Sequence, residues 1–207
     1  FFLLPVKGQA LPLDAALKKR NMPLSCSARQ GKAVAIRLLL GLLFSAAVSL
    51  VAYRRHSLDR SGIAGAIVTG TTTVGLGGWP WGLSLIFFFV SSSLLSHYKA
   101  RSKAETAADK FSKGGERDIV QVAANGGVAT LFAFGNALAT SNEQRQMLQA
   151  GYVGALATAT ADTWATELGV LSSQPPRLII NGKRVAPGTS GGITALGTST
   201  GAAGALA

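Results

Sequence analysis

Apolar residues occur in long blocks along this chain, and short polar stretches between the blocks hold most of the charges. A helix of about 20 residues is about 30 Å long, which matches the hydrocarbon core of a bilayer. The pattern therefore predicts an all-α, polytopic integral membrane helix bundle with five spans and the start of a sixth. The predicted spans cover residues 34–53, 61–78, 82–96, 119–140 and 151–171, and the sixth begins within residues 191–207.

The first 33 residues differ from the rest because they are basic and lack a regular apolar period. They contain six Lys or Arg residues and one acid, Asp14. An acid-poor basic leader resembles an organellar transit peptide, and a disordered tail or an arbitrary end is the alternative. Residues 34–207 are interpreted as one transmembrane domain. Because the sequence stops at Ala207 inside an apolar run, we expect it to be truncated at its C-terminus.

The composition excludes several other classes of protein. Only 14% of the residues are charged, whereas soluble domains carry about a quarter. The formal net charge of +11 at first suggests a nucleic-acid binder. The apolar blocks instead favour a membrane protein with basic loops, a lipid bilayer as its environment and no nucleic-acid partner. One cysteine and two histidines exclude a disulfide within the chain and argue against a zinc site.

The charges of the loops predict the orientation of the bundle. Because successive helices alternate in direction, the loops at 54–60, 98–118 and 172–190 share one face, and those at 77–80 and 141–149 share the other. The first set carries twelve Lys or Arg residues and the second carries one. The positive-inside rule assigns the basic loops to the cytoplasmic side, or to the stromal side in a chloroplast membrane. The basic leader opposes this orientation unless it is cleaved.

Two carboxylates within the fifth predicted span are candidates for chemistry. A carboxylate at the centre of a membrane helix costs roughly 2.5–3.5 kcal/mol, so such residues are usually functional. Thr158, Asp162 and Thr166 share one helix face, and Glu167 lies about 140° round from Asp162. We expect Asp162 and Glu167 to be catalytic and to hold Mg²⁺ directly or through water. One ion shared by both requires a site near the helix end or a locally irregular helix. The alternative is that Asp162 pairs with a loop cation for structure.

Two basic, glycine-rich stretches are candidate phosphate sites. In residues 182–192 two cations precede a turn with two hydroxyls, which is predicted to open a helix whose N–H groups bind phosphate. The Lys precedes the glycines, so this is not a Walker motif, and a basic juxtamembrane loop is the alternative. Residues 109–118 alternate cations and acids around a Gly pair, and a solvated loop is the alternative there. The predicted phosphate-binding residues are Arg177, Lys183, Arg184, Gly188, Thr189, Ser190, Lys110, Lys113, Arg117 and Asn125, and Lys183 is also predicted to be catalytic.

Four blocks of this sequence resemble the DUF92 / transmembrane protein 19 family, and the resemblance covers residues 35–207. The blocks are DKFSKGGERD at 109–118, Gln121-Val122 with Asn125-Gly126-Gly127, ATADTWATELG at 159–169 and PGTSGG at 187–192. Within that family the chain is most similar to the plastid and cyanobacterial phytyl-phosphate kinases of tocopherol synthesis. The resemblance implies a multi-pass enzyme that phosphorylates an isoprenyl monophosphate to the diphosphate, with CTP or another nucleoside triphosphate as donor.

A more distant resemblance connects the chain with CTP-dependent polyprenol and phytol kinases. It matches Asp162 to their membrane-embedded Asp, although Ala161 replaces the preceding Gly and no acid precedes the final turn. In this interpretation Lys183, Arg184 and Arg177 neutralise the transferring phosphates, while Lys110, Lys113 and Arg117 bind the acceptor phosphate or the donor's tail. The prenyl chain is expected to lie against residues 61–78 and 191–207. The alternative from another class is a transporter for an anionic solute.

Overall fold

The computed structural model describes residues 24–107 and 115–207, and they are predominantly helical. This confirms the helical architecture predicted from the apolar blocks. A small antiparallel sheet in the loop before the last helix was not predicted. The elements are α1 Leu24–Arg54, α2 Arg60–Thr72, a π-helical turn Thr73–Gly77, α3 Trp79–His97, α4 Ala100–Thr106, α5 Ile119–Leu138, α6 Asn142–Gly169, β1 Arg177–Leu178, β2 Gly192–Ile193 and α7 Ala195–Leu206.

Within residues 24–107 and 115–207, two helices are long and apolar enough to cross a bilayer, namely Gly31–Arg54 within α1 and Trp79–His97, which is α3. They correspond to the first and third predicted spans. The other predicted segments also form helices, but these are shorter or less apolar. Five spans and the start of a sixth therefore stay a prediction.

Helix α1 begins well before the predicted span, at Leu24, and continues without interruption to Arg54. No break in the helix marks the predicted boundary between residues 33 and 34. Residues 1–23 lie outside the described part of the chain, so a leader or transit peptide stays a prediction.

The predicted polar turn at residues 141–149 is wrong, because α6 already begins at Asn142. Ser141 caps this helix: its hydroxyl accepts a hydrogen bond from the Gln144 backbone N–H at 3.1 Å. The Gln144 side-chain oxygen in turn accepts from the Ser141 N–H at 3.2 Å. This reciprocal capping box satisfies two N–H groups that a helix start leaves without partners. The polar residues therefore extend α6 beyond the apolar block.

The prediction that the glycine-rich turn opens directly into a helix is also wrong. Gly192 and Ile193 form β2, which pairs with Leu178 and Arg177 of β1. Helix α7 begins only at Ala195, after Thr194, whose hydroxyl accepts a hydrogen bond from the Gly197 N–H at 3.0 Å. The N-terminal N–H groups of α7 are thus partly used by its own cap.

Helix α7 packs closely on α6 through a stripe of glycines. A Cβ at Gly197 would lie 3.1 Å from the Ala165 carbonyl oxygen, and one at Gly204 would lie 3.1 Å from that of Thr160. A Cβ at Gly201 would lie 3.2 Å from the Ala165 Cβ. Small residues at such a contact allow two membrane helices to approach closely. The glycine face of α7 is therefore occupied by α6.

Parts of all three basic loops lie together at one end of the bundle. The Arg117 N–H donates to the Ser57 carbonyl at 3.1 Å, and the Asp59 N–H donates to the Arg117 carbonyl at 3.1 Å. These bonds join the loop after α1 to the segment before α5. The loop after α6 reaches the same region, because a Cβ at Gly188 would lie 3.3 Å from the Ala107 Cβ. Which side of a membrane this end occupies stays a prediction.

Candidate functional site

Two polar clefts open at this end of the bundle and meet at α6. The loop cleft, of about 630 Å³, lies between the C-terminal part of α6 and the loops at 172–176 and 187–194. The inner cleft, of about 320 Å³, lies between the C-terminal part of α6, the end of α3 and the start of α5. Asp162 and Thr166 line both clefts, so two ligands could approach the same pair of side chains from different sides.

Asp162 stands at this junction, one turn before Thr166 on the same face of α6. Its side chain is exposed to the clefts. Among the described residues it takes part in no hydrogen bond or ion pair, so the alternative of a structural pair with a loop cation finds no partner there. A carboxylate with both oxygens unused in a polar cleft can bind a cation or a hydrogen-bond donor of a ligand.

Glu167 differs from Asp162 because its carboxylate is already bound within the protein. Lys103 Nζ lies 2.6 Å from Glu167 Oε2, and the Ser96 hydroxyl donates to Glu167 Oε1 at 2.7 Å. The Lys103 side chain is fully buried, and that of Glu167 is 13% exposed. A buried carboxylate needs such partners, because an unpaired one is very costly in the interior. Direct metal ligation by Glu167 would have to replace these contacts.

Arg117 is a buried guanidinium that lines the inner cleft. It donates to Ser93 Oγ at 2.9 Å and to Ser96 Oγ at 3.2 Å, and it lies 5.8 Å from the centre of the Phe89 ring. The pKa of Arg117 is lowered overall, because the effect of burial outweighs the opposing effect of the Glu167 charge. Ser96 therefore connects the predicted anion-binding Arg117 with Glu167 in one network.

Asn125 and Gln121 lie on α5 and line the same inner cleft, one helical turn apart. The structure thus brings the sequence-predicted residues Arg117 and Asn125 together with Asp162 and Glu167. Lys110 and Lys113 lie outside the described residues. Their assignment to the acceptor phosphate stays a prediction.

The glycine-rich turn lines the loop cleft, with Gly188, Thr189 and Ser190 all in its wall. Gly188 has φ +84°, a left-handed conformation that favours glycine. The Thr189 N–H and hydroxyl both donate to the Ala186 carbonyl, at 3.2 and 2.8 Å. The turn is thereby held in a fixed shape on the side of Asp162 opposite to the inner cleft.

The three cations predicted to act with this turn lie elsewhere. Arg177, Lys183 and Arg184 are exposed on a hairpin and line neither cleft. The Leu178 N–H donates to the Lys183 carbonyl at 2.9 Å, and Arg177 pairs with Arg184 across the hairpin. The prediction that Lys183 lies beside the glycine-rich turn is corrected by its exposed position on the hairpin. The reason is that the chain folds back on itself between residues 178 and 183 and projects away from the cleft.

The carboxylates near the two clefts suit a Mg²⁺ ion that is held mainly by substrate phosphates. No group of three or more His, Cys, Asp or Glu residues that could hold a metal occurs in the described part of the chain. Of the carboxylates in the inner cleft, Glu116 lies 2.8 Å from His56 and Glu167 is paired with Lys103. Mg²⁺ is commonly held by one or two carboxylates together with substrate phosphates. Asp162 can supply one such carboxylate.

Sequence reasoning missed Lys103, Ser93 and Ser96 as parts of this site. Lys103 belongs to a run of charged residues, and such runs are normally solvated. Its burial against Glu167 is seen only in the folded structure. The serines end the apolar helix α3 with three-residue spacing on one face. That spacing was a visible signal for a polar surface at this end of the helix.

The apolar helices, the basic loops at one end and the polar clefts beneath them define an integral membrane protein of helical architecture. Residues 43–207 match the model of a family described as integral membrane protein DUF92. The chain belongs to this family.

Two relatives extend this comparison. The chain is 36% identical over 172 residues to Protein PGR of Arabidopsis thaliana, covering 78% of this chain and 59% of that protein. It is 32% identical over 171 residues to an uncharacterized membrane protein of Methanocaldococcus jannaschii, covering 83% of this chain and 68% of that protein. No solved structure matches the chain. The chain spans about three fifths of the length of the Arabidopsis protein.

Proposed function

We propose that this protein is a membrane kinase that phosphorylates an isoprenyl monophosphate, of the phytyl type, to the diphosphate. The donor is CTP or another nucleoside triphosphate, and the product feeds tocopherol or isoprenoid salvage. One observation carries this proposal: two polar clefts meet at the carboxylate of Asp162, which has no partner among the described residues. Arg117 lies in one cleft and the glycine-rich turn in the other. Such an arrangement suits a reaction between two anionic ligands.

The acceptor phosphate binds in the inner cleft in this mechanism. Arg117 neutralises part of its charge, and the amide side chains of Gln121 and Asn125 donate hydrogen bonds to its oxygens. Arg117 is fixed by Ser93 and Ser96, so little side-chain freedom is lost when the phosphate binds. The phosphate of a prenyl chain would enter this cleft from the membrane.

The donor triphosphate binds in the loop cleft, against the turn that contains Gly188, Thr189 and Ser190. Asp162 would hold Mg²⁺, and the ion would supply neutralisation of charge on the donor phosphates. An acceptor phosphate oxygen attacks the terminal phosphorus of the donor, and the bond from that phosphorus to the bridging oxygen breaks. The products are the prenyl diphosphate and a nucleoside diphosphate. The acceptor is already an anion, so positioning and charge neutralisation suffice without a strong general base.

A chloroplast membrane, with the basic loops facing the stroma, is the proposed location. The cations of the three basic loops support the orientation, and the similarity to a plant protein supports the location. Import of a fluorescent fusion of the native full-length protein into isolated chloroplasts would test it. Retention of the fusion in another membrane would refute this location.

Product formation by the purified native full-length protein tests the activity, because the chain spans only about three fifths of the plant relative's length. The protein in lipid nanodiscs is supplied with phytyl monophosphate, Mg²⁺ and each nucleoside triphosphate in turn, and phytyl diphosphate is measured by mass spectrometry. We expect diphosphate with at least one donor and none without a donor. Absence of product with every donor would refute the proposal.

A transporter for an anionic solute is the second candidate, because it would also use a polar cavity with a carboxylate. The lining of both polar clefts comes from the same end of the bundle, which favours a surface reaction over a transmembrane pathway. Flux of phosphate or prenyl phosphate across sealed vesicles, without diphosphate formation, would favour the transporter.

A further inference from the structure

A third cavity, the apolar tunnel, lies between α1, α2, α3 and α5. Its accessible lining is almost wholly apolar, although a few hydroxyl groups lie in its wall. It includes Arg117, Gln121 and Asn125, which also line the inner cleft. Its apolar walls also include Ala66, Thr69, Gly70, Val74, Gly82 and Phe89.

The tunnel runs along the helices from the inner cleft towards the opposite end of the bundle. On α3 its lining extends from Phe89, beside Arg117, back to Gly82, a distance of about 10 Å at the rise of an α-helix. The far part is formed by Val74 of the π-helical turn, close to Gly82. The polar end of the tunnel is therefore at the basic loops, and its apolar end lies within the bundle.

The chemistry of the tunnel defines one kind of occupant. A buried guanidinium and two amides at the mouth select an anionic headgroup, and the apolar walls behind them select a hydrocarbon chain. The cavity encloses about 80 Å³ and is otherwise open between the helices, so it can cover part of a single chain but not the two chains of a phospholipid. We propose that the apolar tunnel binds the hydrocarbon chain of an isoprenyl monophosphate, with its phosphate at Arg117.

This inference rests on the proposed kinase function for the identity of the headgroup, and it adds where the chain lies. It agrees with the expected contact along residues 61–78, because Ala66, Thr69 and Gly70 of α2 line the tunnel. The proposed chain site does not include the expected contact of the prenyl chain with residues 191–207, because the glycines of α7 pack against α6. Residues of α1, α3 and α5 complete the tunnel instead.

A matched pair of substitutions on α2 tests the chain site. Ala66 lines the tunnel and Ala64 is exposed on the same helix, so Ala66→Phe fills the tunnel and Ala64→Phe does not. We expect Ala66→Phe to raise the KM for geranylgeranyl monophosphate at least about tenfold, since small changes in an apolar pocket have effects of this size. The KM for dimethylallyl monophosphate and for the donor should stay unchanged, and Ala64→Phe should behave as the unchanged protein. Equal KM values for the long chain in both variants would overturn the chain site.

Photochemical labelling of the unchanged protein gives a second measurement that depends neither on folding of a variant nor on turnover. The probe is geranylgeranyl monophosphate with a diazirine at the chain end, bound in nanodiscs and mapped by mass spectrometry. We expect labelling near Val74 and Gly82, with competition by unlabelled prenyl monophosphate. Labelling confined to α6 and α7 would overturn the inference.

The two measurements separate this inference from the proposed function. Labelling in the tunnel without formation of diphosphate would refute the kinase but retain the chain site. Formation of diphosphate with labelling elsewhere would refute the chain site and retain the kinase. A diazirine-bearing phosphatidylglycerol serves as the comparison, and labelling of the tunnel by that lipid in place of the prenyl probe would assign the tunnel to a bilayer phospholipid.

Discussion

Lys103 and Glu167 form an ion pair inside the protein, with Lys103 Nζ 2.6 Å from Glu167 Oε2. Lys103 lies on the short helix α4 and also donates a hydrogen bond to the Leu95 carbonyl near the end of α3. Glu167 lies near the end of α6 and accepts from Ser96 of α3. The pair thus joins three helices directly beneath the basic loops. Because Ser96 also contacts Arg117, the pair holds one wall of the inner cleft.

Removal of the Lys103 charge should destabilise the protein strongly. Lys103→Met leaves the Glu167 carboxylate buried without its cation, which typically costs about 3–5 kcal/mol. Arg101 is exposed on the same helix, so Arg101→Met is the matched control and should have little effect. Thermal unfolding in detergent compares the two variants.

A double substitution distinguishes the ion pair from a simple loss of packing. Lys103→Met with Glu167→Gln removes both charges, so we expect it to be less destabilised than the sum of the two single variants. Strictly additive effects would show that the two side chains are not energetically coupled.

Asp162 and Glu167, the two carboxylates in the C-terminal part of α6, should respond differently to neutralisation. Asp162→Asn changes a side chain without protein partners among the described residues, so its effect on stability should be within about 0.5 kcal/mol. It should nevertheless abolish diphosphate formation if Asp162 holds Mg²⁺. Glu167→Gln should lower the unfolding temperature, because it replaces a paired buried charge. Near-normal turnover by Asp162→Asn would remove that residue from the mechanism.

The sequence predicted the helices well where apolar blocks are long, as in α1 and α3, because length and hydropathy alone define such segments. It also identified Asp162, since a carboxylate in an apolar block stands out. It did not identify the role of Lys103, because burial of that side chain depends on Glu167, which is 64 positions away. A tertiary contact of this kind leaves no signal in the local pattern.

Two local errors had different physical origins. The capping box of Ser141 and Gln144 was readable from its Ser-x-x-Gln spacing, but the polar composition of the stretch was interpreted as a turn. The exposed position of Lys183 could not be derived in the same way. It depends on how the hairpin projects from the pair of strands β1 and β2, a pairing that the local pattern of residues does not predict.

The N-terminus of α2 should show a pH-dependent contribution to stability. Hydrogen bonds from the Gly62 N–H and the Ser61 hydroxyl lower the pKa of Asp59 below its usual value of 3.8. A carboxylate with a lowered folded-state pKa contributes fully above the unfolded-state value and loses its contribution as the pH falls through the folded-state value. Asp59→Ala should therefore lower the unfolding temperature at neutral pH.

Measurement of unfolding temperatures across the acidic range completes this test. The difference between Asp59→Ala and the unchanged protein should diminish as the pH falls below about 3.8. Asp59→Asn keeps an acceptor for the cap and should lose less stability at neutral pH, because Asn is also a favourable capping residue. A difference that stays constant down to the lowest pH would contradict a contribution from the ionised carboxylate.

Two glycines with the same backbone constraint provide a test of the loop cleft. Gly188 has φ +84° and lines the cleft, whereas Gly182 has φ +69° on the exposed hairpin with nothing within 4 Å of an added Cβ. An Ala at either position is strained by about 1–2 kcal/mol. A Cβ at Gly188 would also lie 3.3 Å from the Ala107 Cβ, so Gly188→Ala should lose at least as much stability as Gly182→Ala. Only Gly188→Ala should distort the wall that is proposed to bind the donor. It should therefore raise the KM for the nucleoside triphosphate while the KM for the prenyl phosphate stays unchanged, and Gly182→Ala and Lys183→Ala should change neither. Steady-state kinetics with each substrate varied in turn decides this, and a large nucleotide effect of Lys183→Ala would return the hairpin cations to the donor site.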